Sequence, residues 1–146
     1  DEEAQILELF RREARRDFAK QKVDFVKVSQ DALFEARDEV LNLHMADNLQ
    51  QYLVQLILAT RNPGAYGSEI ADWVQYGASP RATISLDMCA RSHAWLAGRD
   101  FVTPDDIQSM AYDVLRHRVL LRYEAQAEGV TVDDFVSKLI QLVAVP

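Results

Sequence analysis

The sequence lacks the features that mark a disulfide-rich, membrane-spanning or nucleic-acid-binding protein. Its single cysteine, Cys89, cannot form an internal disulfide and excludes a zinc site built from several cysteines. No apolar run approaches the roughly 18 residues of a membrane span, and no signal peptide is visible. There are 16 basic and 23 acidic residues, and the net charge of −7 argues against a protein that mainly binds nucleic acid. We therefore predict a cytoplasmic protein that binds neither nucleic acid nor a membrane.

Glycine and proline are also scarce, and this favours long helices over many short strands. Only 5 Gly and 4 Pro interrupt 146 residues, of which 49% are hydrophobic. We predict an all-α helical bundle of about six helices with at most a small two-stranded β element. The β-branched stretch 23–28 could be a short strand or an extended connector. The predicted helices cover residues 1–20, 30–44, 47–60 and 80–97, and two more begin after Thr103 and Thr131.

Local signals fix where several of these helices begin and end. Ser29 and Asp47 are suited to N-caps, and Ser79 is followed by Pro80 at the first helical position. Gly98 is suited to the C-terminal stop of the helix over 80–97. In the helix over 30–44, apolar spacing predicts an inward face. That face consists of Leu33, Ala36, Val40 and Leu41.

Residues capable of chemistry are few, and most have a structural explanation. Cys89 and His93 are one helical turn apart, but a packed pair inside a helix is the favoured interpretation. Asp105 and Asp106 are better explained by helix capping than by acid–base work. The chain contains no glycine-rich phosphate loop ending in Gly-Lys-Ser or Gly-Lys-Thr. We accordingly predict no catalytic residue and no metal site in this chain.

Arg81 does not fit its local position well. It is the second residue of a predicted helix, where the helix dipole disfavours a cation by up to about 1 kcal/mol. A nearby anion would explain it, because the free N–H groups of a helix N-terminus and a guanidinium both suit phosphate. An ion pair of Arg81 with Glu69 or Asp72 explains it equally well. The residues alone leave both explanations open.

Five sequence motifs together resemble the MoxR family of AAA+ ATPases. The resemblance is close over residues 59–134, whereas residues 1–58 agree mainly in helical organisation. One motif is YGASPRA at 76–82, which is similar to the start of the family's sensor-2 helix, and the combination of motifs is more specific than any single one. The other motifs are ATR at 59–61 with AYG at 65–67, AGRDFVTPDDI at 97–107, VLRHRVLL at 114–121 and EAQAEGVT at 124–131.

The resemblance implies that residues 1–146 are a single C-terminal lid domain, a piece of a longer ATPase without its phosphate loop. The lid would close over ATP and Mg²⁺ bound to an N-terminal αβ domain, and alone it should not hydrolyse ATP. Arg81 would contact the γ-phosphate, with Ser79, Pro80 and Ala82 positioning it. Further partners would be neighbouring protomers of a ring and client proteins, including von Willebrand A-domain proteins or metalloenzymes, which the ATPase remodels or matures.

The lid interpretation also predicts an open surface. We expect Ser79–Ala82, Ile84 and Ser85 to form a bare, partly apolar face beside the start of the helix. Two other functions are weighed against the lid. A stand-alone helical adaptor for protein partners would use the aromatic residues Tyr66, Trp73 and Tyr76. A nucleic-acid module would use Arg116, Arg118 and Arg122, but acids outnumber bases over residues 81–146.

Overall fold

Helices account for most of the regular structure, as the scarcity of glycine and proline predicts. The computed structural model describes residues 2–14 and 26–145, with side chains described for 2–11 and 26–145. The described helices are α1 (Glu2–Ala14), α2 (Gln30–Asn42), α3 (Asp47–Arg61), α4 (Ser68–Ala71), α5 (Pro80–Leu96), α6 (Pro104–Leu115), α7 (Tyr123–Ala127) and α8 (Val132–Leu142), with a 3-10 turn at Pro63–Ala65. The prediction of an all-α fold is confirmed, and the short α4 and α7 are additional to the six helices expected. None of the described helices is both long and apolar enough to cross a bilayer.

The small β element is present, but not where the sequence suggested it. Strands β1 (Val74–Tyr76) and β2 (Leu120–Leu121) pair antiparallel, with Val74 opposite Leu121. Residues 26–28 have no regular structure, and residues 23–25 lie outside the described part of the chain. The strand pair joins the turn before α5 to the segment after α6, so it ties together two places that matter for the candidate site.

The chain divides into two compact units, Asp1–Leu33 and Phe34–Pro146. In the first unit, α1 begins with Glu2 and Glu3, where the helix dipole favours acids, and its described side chains are exposed. The remainder of the helix predicted over residues 1–20 lies outside the described residues. The prediction of one lid domain over residues 1–146 stays a prediction.

The core of the second unit is built from α3, α5, α6 and α8. Helix α3 turns one apolar face into this core, and the residues of that face are buried: Leu49, Tyr52, Leu53, Leu56 and Ile57. Helix α5 buries a stripe with a spacing of four, made of Ala82, Leu86, Ala90 and Ala94. Because three of the four are alanines, α6 can pack close to α5, and it buries Ile107, Ala111 and Leu115. The largest fully buried side chain is Phe135 of α8.

The helix-start signals are mostly correct, and one is shifted by a residue. The Ser29 side chain caps α2 by accepting a hydrogen bond from the Ala32 N–H at 3.1 Å. Thr103 with Asp106, and Thr131 with Asp134, form reciprocal capping boxes at the starts of α6 and α8. Asp47 is not the N-cap of α3, because that position is occupied by Ala46.

The inward face predicted for α2 is wrong in part. Val40 is buried, but Leu33 is 63% exposed and Leu41 is 49% exposed. Ala36 is half-buried. Spacing identifies which residues share a face of a helix, but it cannot say whether a second element covers the whole of that face.

Gly98 ends α5 in the predicted way, and its backbone allows a test. Its φ of +71° is a left-handed conformation, and the N–H groups of Gly98 and Arg99 bond to the carbonyls of Trp95 and Ala94. A Cβ at this position would meet no atom within 4 Å, so only backbone strain opposes a side chain there. We expect Gly98→Ala to lower the free energy of unfolding by about 1 kcal/mol. Urea denaturation measures this loss, and Gly98→Asn should lose less because asparagine tolerates the same conformation. Equal losses in the two variants would contradict the explanation by strain.

Candidate anion-binding site

The turn that leads into α5 is held against the end of α3 by side chains of α3. The Ala78 N–H donates to the Thr60 hydroxyl at 2.9 Å, and Thr60 in turn donates to the Ile57 carbonyl at 2.7 Å. The Arg61 Nε donates to the Ala78 carbonyl at 2.8 Å. Both polar groups of the buried Ala78 backbone are therefore satisfied by α3, and the turn has a fixed position.

Gly77 is required for this close approach. An added Cβ would overlap the carbonyl oxygen of Thr60 and would lie 2.7 Å from the Arg61 nitrogen. Both obstacles are backbone atoms, which cannot rotate away as a side chain could. The glycine in the YGASPRA motif therefore has a steric reason, and it fixes where α5 begins relative to α3.

Helix α5 begins as predicted, with Ser79 at the N-cap and Pro80 at the first helical position. The Ser79 side chain makes no capping hydrogen bond, and the Ala82 N–H instead donates to the Ser79 carbonyl at 2.8 Å. The first turn of α5 thus has no side-chain acceptor of its own. Pro80 has no N–H and the Ala82 N–H is occupied, so the Arg81 N–H is the backbone donor of this positive helix end that is available to an anion.

Arg81 is exposed and projects from the first turn of α5. Among the described residues, no carboxylate forms an ion pair with it. Glu69, one of its two proposed partners, is instead paired with Lys138 at 2.8 Å. The alternative explanation of Arg81 by an ion pair with Glu69 or Asp72 is therefore not realised in this structure.

An open groove of about 700 Å³ adjoins the start of α5. Its lining is made of Gly77, Ser79, Arg81, Ile84, Ser85, His117 and Arg118. The expected open face is present at Ser79, Ile84 and Ser85, and Ile84 is 67% exposed. Ala82 is an exception, because it is fully buried in the core and forms no part of the surface. This groove is what we call the α5 groove.

The second arginine of the α5 groove, Arg118, is proposed from the sequence only for the nucleic-acid alternative and not for the nucleotide site of the lid. It follows α6, and its guanidinium donates to the Val114 carbonyl at 2.6 Å and to the Ser85 hydroxyl at 3.2 Å. Its place beside Ser85 depends on the packing of α5 against α6, for which the sequence carries no local signal. The VLRHRVLL motif marked the segment but gave Arg118 no role in the lid.

The three arginines of the nucleic-acid hypothesis do not act as a group. Arg116 is occupied by ion pairs with Asp113 and Asp133, each at 2.9 Å. Arg122 donates to the Val74 carbonyl at 3.2 Å, beside the strand pair. Only Arg118 lines the α5 groove, so the structure gives no support to a shared basic surface formed by all three.

A buried carboxylate lies beneath the loop between α5 and α6. Asp106 is fully buried, and it accepts hydrogen bonds from Arg99 at 2.5 Å and from the Thr103 N–H at 2.8 Å. His93 Nδ1 lies 2.6 Å from Asp106 Oδ1, the oxygen that also accepts this bond from Arg99. Burial alone would raise the pKa of Asp106, but the bonds from Arg99, His93 and Thr103 outweigh it and hold that pKa well below its usual range. The capping role predicted for Asp106 is confirmed, and the buried ion pair is an addition to it.

The aromatic residues proposed for an adaptor surface are mostly not free. Tyr66 and Trp73 are half-buried against the core, and the Tyr66 hydroxyl donates to Gln55 at 2.8 Å. Only Tyr76 is largely exposed, at 66%. One exposed ring is common on a protein surface, so the adaptor hypothesis loses the exposed aromatic surface and keeps only the acidic charge and the helical pattern as support.

The lining of the α5 groove suits phosphate but not a metal ion. Guanidinium groups, hydroxyls and helix N–H groups are donors that match phosphate oxygens. The described residues of the lining include no aspartate or glutamate, and carboxylates are what proteins mainly use to hold Mg²⁺. The lining therefore fits the phosphates of ATP, while ligands for Mg²⁺ would have to come from elsewhere.

Comparison with known proteins identifies the same region. The AAA lid domain family matches residues 68–139. Chaperone MoxR1 of Mycobacterium tuberculosis is 40% identical over 99 residues, covering 67% of this chain and 26% of the relative. Protein MoxR of Methylorubrum extorquens is 35% identical over 105 residues, covering 67% of this chain and 30% of the relative.

A solved structure resembles the fold of this chain. It is a candidate ATPase from Cytophaga hutchinsonii, with 35% identity and a TM-score of 0.80, and the match covers 100% of this chain and 44% of that one. The chain thus spans about a quarter to under a half of the proteins it resembles. The helical fold, the matched motifs and these relatives agree: the chain contains an AAA lid domain of the MoxR family of AAA+ ATPases.

Proposed function

We propose that this lid closes over ATP held by the N-terminal αβ domain of a longer ATPase, and that Arg81 contacts the γ-phosphate. The observation that carries the proposal is Arg81 itself, an exposed guanidinium on the first turn of α5 without a carboxylate partner among the described residues. The turn before it is fixed to α3 through Thr60 and Arg61. Arg81 is thus presented to solvent from a rigid base, which suits a residue that must meet an anion on another domain.

The physical basis of sensing is differential binding. An arginine that pairs with the γ-phosphate has that partner only while the triphosphate is intact. The lid is then held closed in one nucleotide state and released in the other. Ser79 and Pro80, which begin α5, fix the direction from which Arg81 approaches the phosphate. Ala82 contributes from below, since its burial seats the first turn of α5 on the core.

The activity of the whole protein is part of the same proposal. One relative, MoxR1 of Mycobacterium tuberculosis, is named a chaperone, and we propose a ring-forming, cytoplasmic ATPase that uses ATP and Mg²⁺. In such a ring the lid contacts its own αβ domain and a neighbouring protomer. Client proteins with von Willebrand A domains or metal centres, remodelled or matured by the ring, fit this proposal by family analogy alone.

The test is Arg81→Ala in the full-length protein. Because Arg81 is exposed and unpaired in the described structure, its loss should change the free energy of unfolding by no more than about 0.5 kcal/mol. Loss of a charge-assisted hydrogen bond to phosphate should slow ATP hydrolysis about tenfold or more. Phosphate release, assembly with ATP and with ADP, and thermal unfolding are measured on the same preparations.

A matched control is Arg37→Ala, which removes another exposed helical arginine outside the α5 groove. It should hydrolyse ATP and assemble like the wild type. If Arg81→Ala also hydrolyses ATP at the wild-type rate and assembles normally, Arg81 does not sense nucleotide and the proposal fails.

A further inference from the structure

The α5 groove is basic although the chain as a whole is acidic. The net charge is −7, yet the described lining of the groove holds two arginines and a histidine and no carboxylate. Three other arginines of the second unit have acidic partners: Arg91 with Asp87, Arg99 with Asp106 and Arg116 with Asp133. Arg81 and Arg118 have none among the described residues, and what distinguishes them from the remaining arginines without a carboxylate partner is that both line the same groove.

Geometry brings the two groove arginines to the same face. Arg81 and Ser85 are four residues apart on α5, so their Cβ atoms are separated by about 6 Å on one side of the helix. The Arg118 guanidinium is held 3.2 Å from the Ser85 hydroxyl. The Arg118 guanidinium therefore lies about one helical turn from the position of Arg81 on α5, and both residues line the α5 groove.

Arg118 is held in place by neutral groups, so its charge is not neutralised. Its two described bonds go to the Val114 carbonyl and the Ser85 hydroxyl, and a guanidinium has more N–H donors than these bonds use. The bonds restrict the side chain before any ligand arrives, which lowers the entropy lost when the ligand binds. A fixed, uncompensated guanidinium beside a second one suits a ligand with several linked negative charges.

We propose that Arg118 is a second phosphate-contacting residue, oriented by Ser85, and that with Arg81 it binds the triphosphate of the nucleotide. This inference rests on the proposed function, in which the α5 groove faces ATP. It adds a residue from the segment after α6, so that two separate elements of the lid grip one triphosphate. It also gives the lid a preference for a ligand with more phosphates, because a longer phosphate chain can contact both arginines at once.

The experiment uses the full-length protein and variants that separate the two arginines. Binding of a fluorescent ATP analogue is titrated for the wild type, Arg118→Ala, Arg118→Lys and Arg81→Ala at fixed salt. We expect Arg118→Ala to weaken binding about tenfold or more, the usual effect of losing a hydrogen bond to a charged group. Arg118→Lys should recover part of the affinity, because it keeps the charge but not the planar fork.

A competition arm identifies what Arg118 contacts. Inorganic tripolyphosphate should displace the analogue from the wild type, and Arg118→Ala should weaken this competition as much as it weakens binding. Adenosine should compete equally well against both proteins. If Arg118→Ala instead weakens adenosine and leaves tripolyphosphate unchanged, Arg118 does not contact phosphate and the inference is overturned.

The matched control is Arg122→Ala, since Arg122 also donates to a backbone carbonyl but lies outside the lining of the groove. It should bind the analogue like the wild type.

Thermal unfolding shows whether Arg118→Ala is folded. Ser85→Ala provides a second variant, because it keeps the arginine and its Val114 bond, and its expected loss of affinity for the analogue is smaller. Wild-type affinity in Arg118→Ala, with weakened binding in Arg81→Ala, overturns this inference alone. Wild-type affinity and hydrolysis in both variants overturn the proposed function as well.

Discussion

Gly77→Ala is expected to displace the turn that carries Arg81, and so to damage both stability and ATP hydrolysis. The new Cβ would overlap the Thr60 carbonyl oxygen and crowd the Arg61 nitrogen, so either the turn or the end of α3 must move. Overpacking of this kind costs about 1–3 kcal/mol of unfolding free energy. The bonds from Thr60 and Arg61 to Ala78 depend on the same approach and would be lost or lengthened.

The effect on hydrolysis should exceed the effect on stability. A shift of about 1 Å in a group that positions a substrate can cost on the order of a hundredfold in rate. We therefore expect ATP hydrolysis by the full-length Gly77→Ala protein to fall at least as far as in Arg81→Ala, under conditions where the variant is still folded. Phosphate release and urea denaturation are measured side by side.

Gly64→Ala provides the control for glycine substitution in the same region. A Cβ at Gly64 would lie 3.6 Å from the Ala71 Cβ, an ordinary contact, so stability should change by no more than about 0.5 kcal/mol. If Gly77→Ala is as stable and as active as Gly64→Ala, the turn is not rigid. The explanation of how Arg81 is positioned would then be wrong.

Local chemistry in the sequence predicted the helices well. Pro80 marks the first turn of α5, Thr103 and Asp106 form a capping box, and Gly98 ends a helix with its positive φ. Each of these signals operates within four or five residues, so no knowledge of the rest of the fold is needed. The unusual position of Arg81 was found in the same way, from its place in a helix N-terminus.

What the sequence could not predict depends on residues far apart in the chain. Strands of two and three residues, paired between Val74 and Leu121, are too short to produce an alternating pattern. The hydrogen bond between Ala78 and Thr60 joins residues 18 positions apart, and the hydrogen bond between Arg118 and Ser85 joins residues 33 positions apart. Hydrogen bonds of this range depend on how α3, α5 and α6 pack, which a spacing rule does not contain.

Asp106 combines both kinds of information. Its capping bond to Thr103 is local and was predicted. Its other two partners are His93, in the last turn of α5, and Arg99, in the loop after that helix. Five hydrogen bonds to one buried carboxylate, donated by Arg99, His93 and Thr103, join the start of α6 to the end of α5. The carboxylate therefore has more influence on the fold than a cap alone, and its removal is the largest stability effect that we expect.

Asp106→Asn should lower the free energy of unfolding by about 3 kcal/mol at neutral pH. The amide keeps the size of the side chain but loses the charge, so the partly buried Arg99 guanidinium faces a neutral group that can also donate. The control is Asp134→Asn, which occupies the same position in the capping box of α8. Asp134 is exposed and accepts only from Thr131, so its replacement should cost much less. Equal losses in the two variants would mean that the ion pair with Arg99 adds nothing to the cap.

The pH dependence of Asp106→Asn separates the charge of the carboxylate from its shape. Because the folded pKa of Asp106 lies below the ordinary unfolded value of about 3.9, its contribution is fully present above that value. As the pH falls below that value, the unfolded state takes up a proton that the folded carboxylate does not bind, so the wild type loses stability relative to Asp106→Asn. The difference in unfolding free energy between wild type and Asp106→Asn should therefore shrink steadily between about pH 4 and about pH 2. Urea denaturation across this range measures it, and a difference that stayed constant would show that packing, rather than the buried charge, distinguishes aspartate from asparagine here.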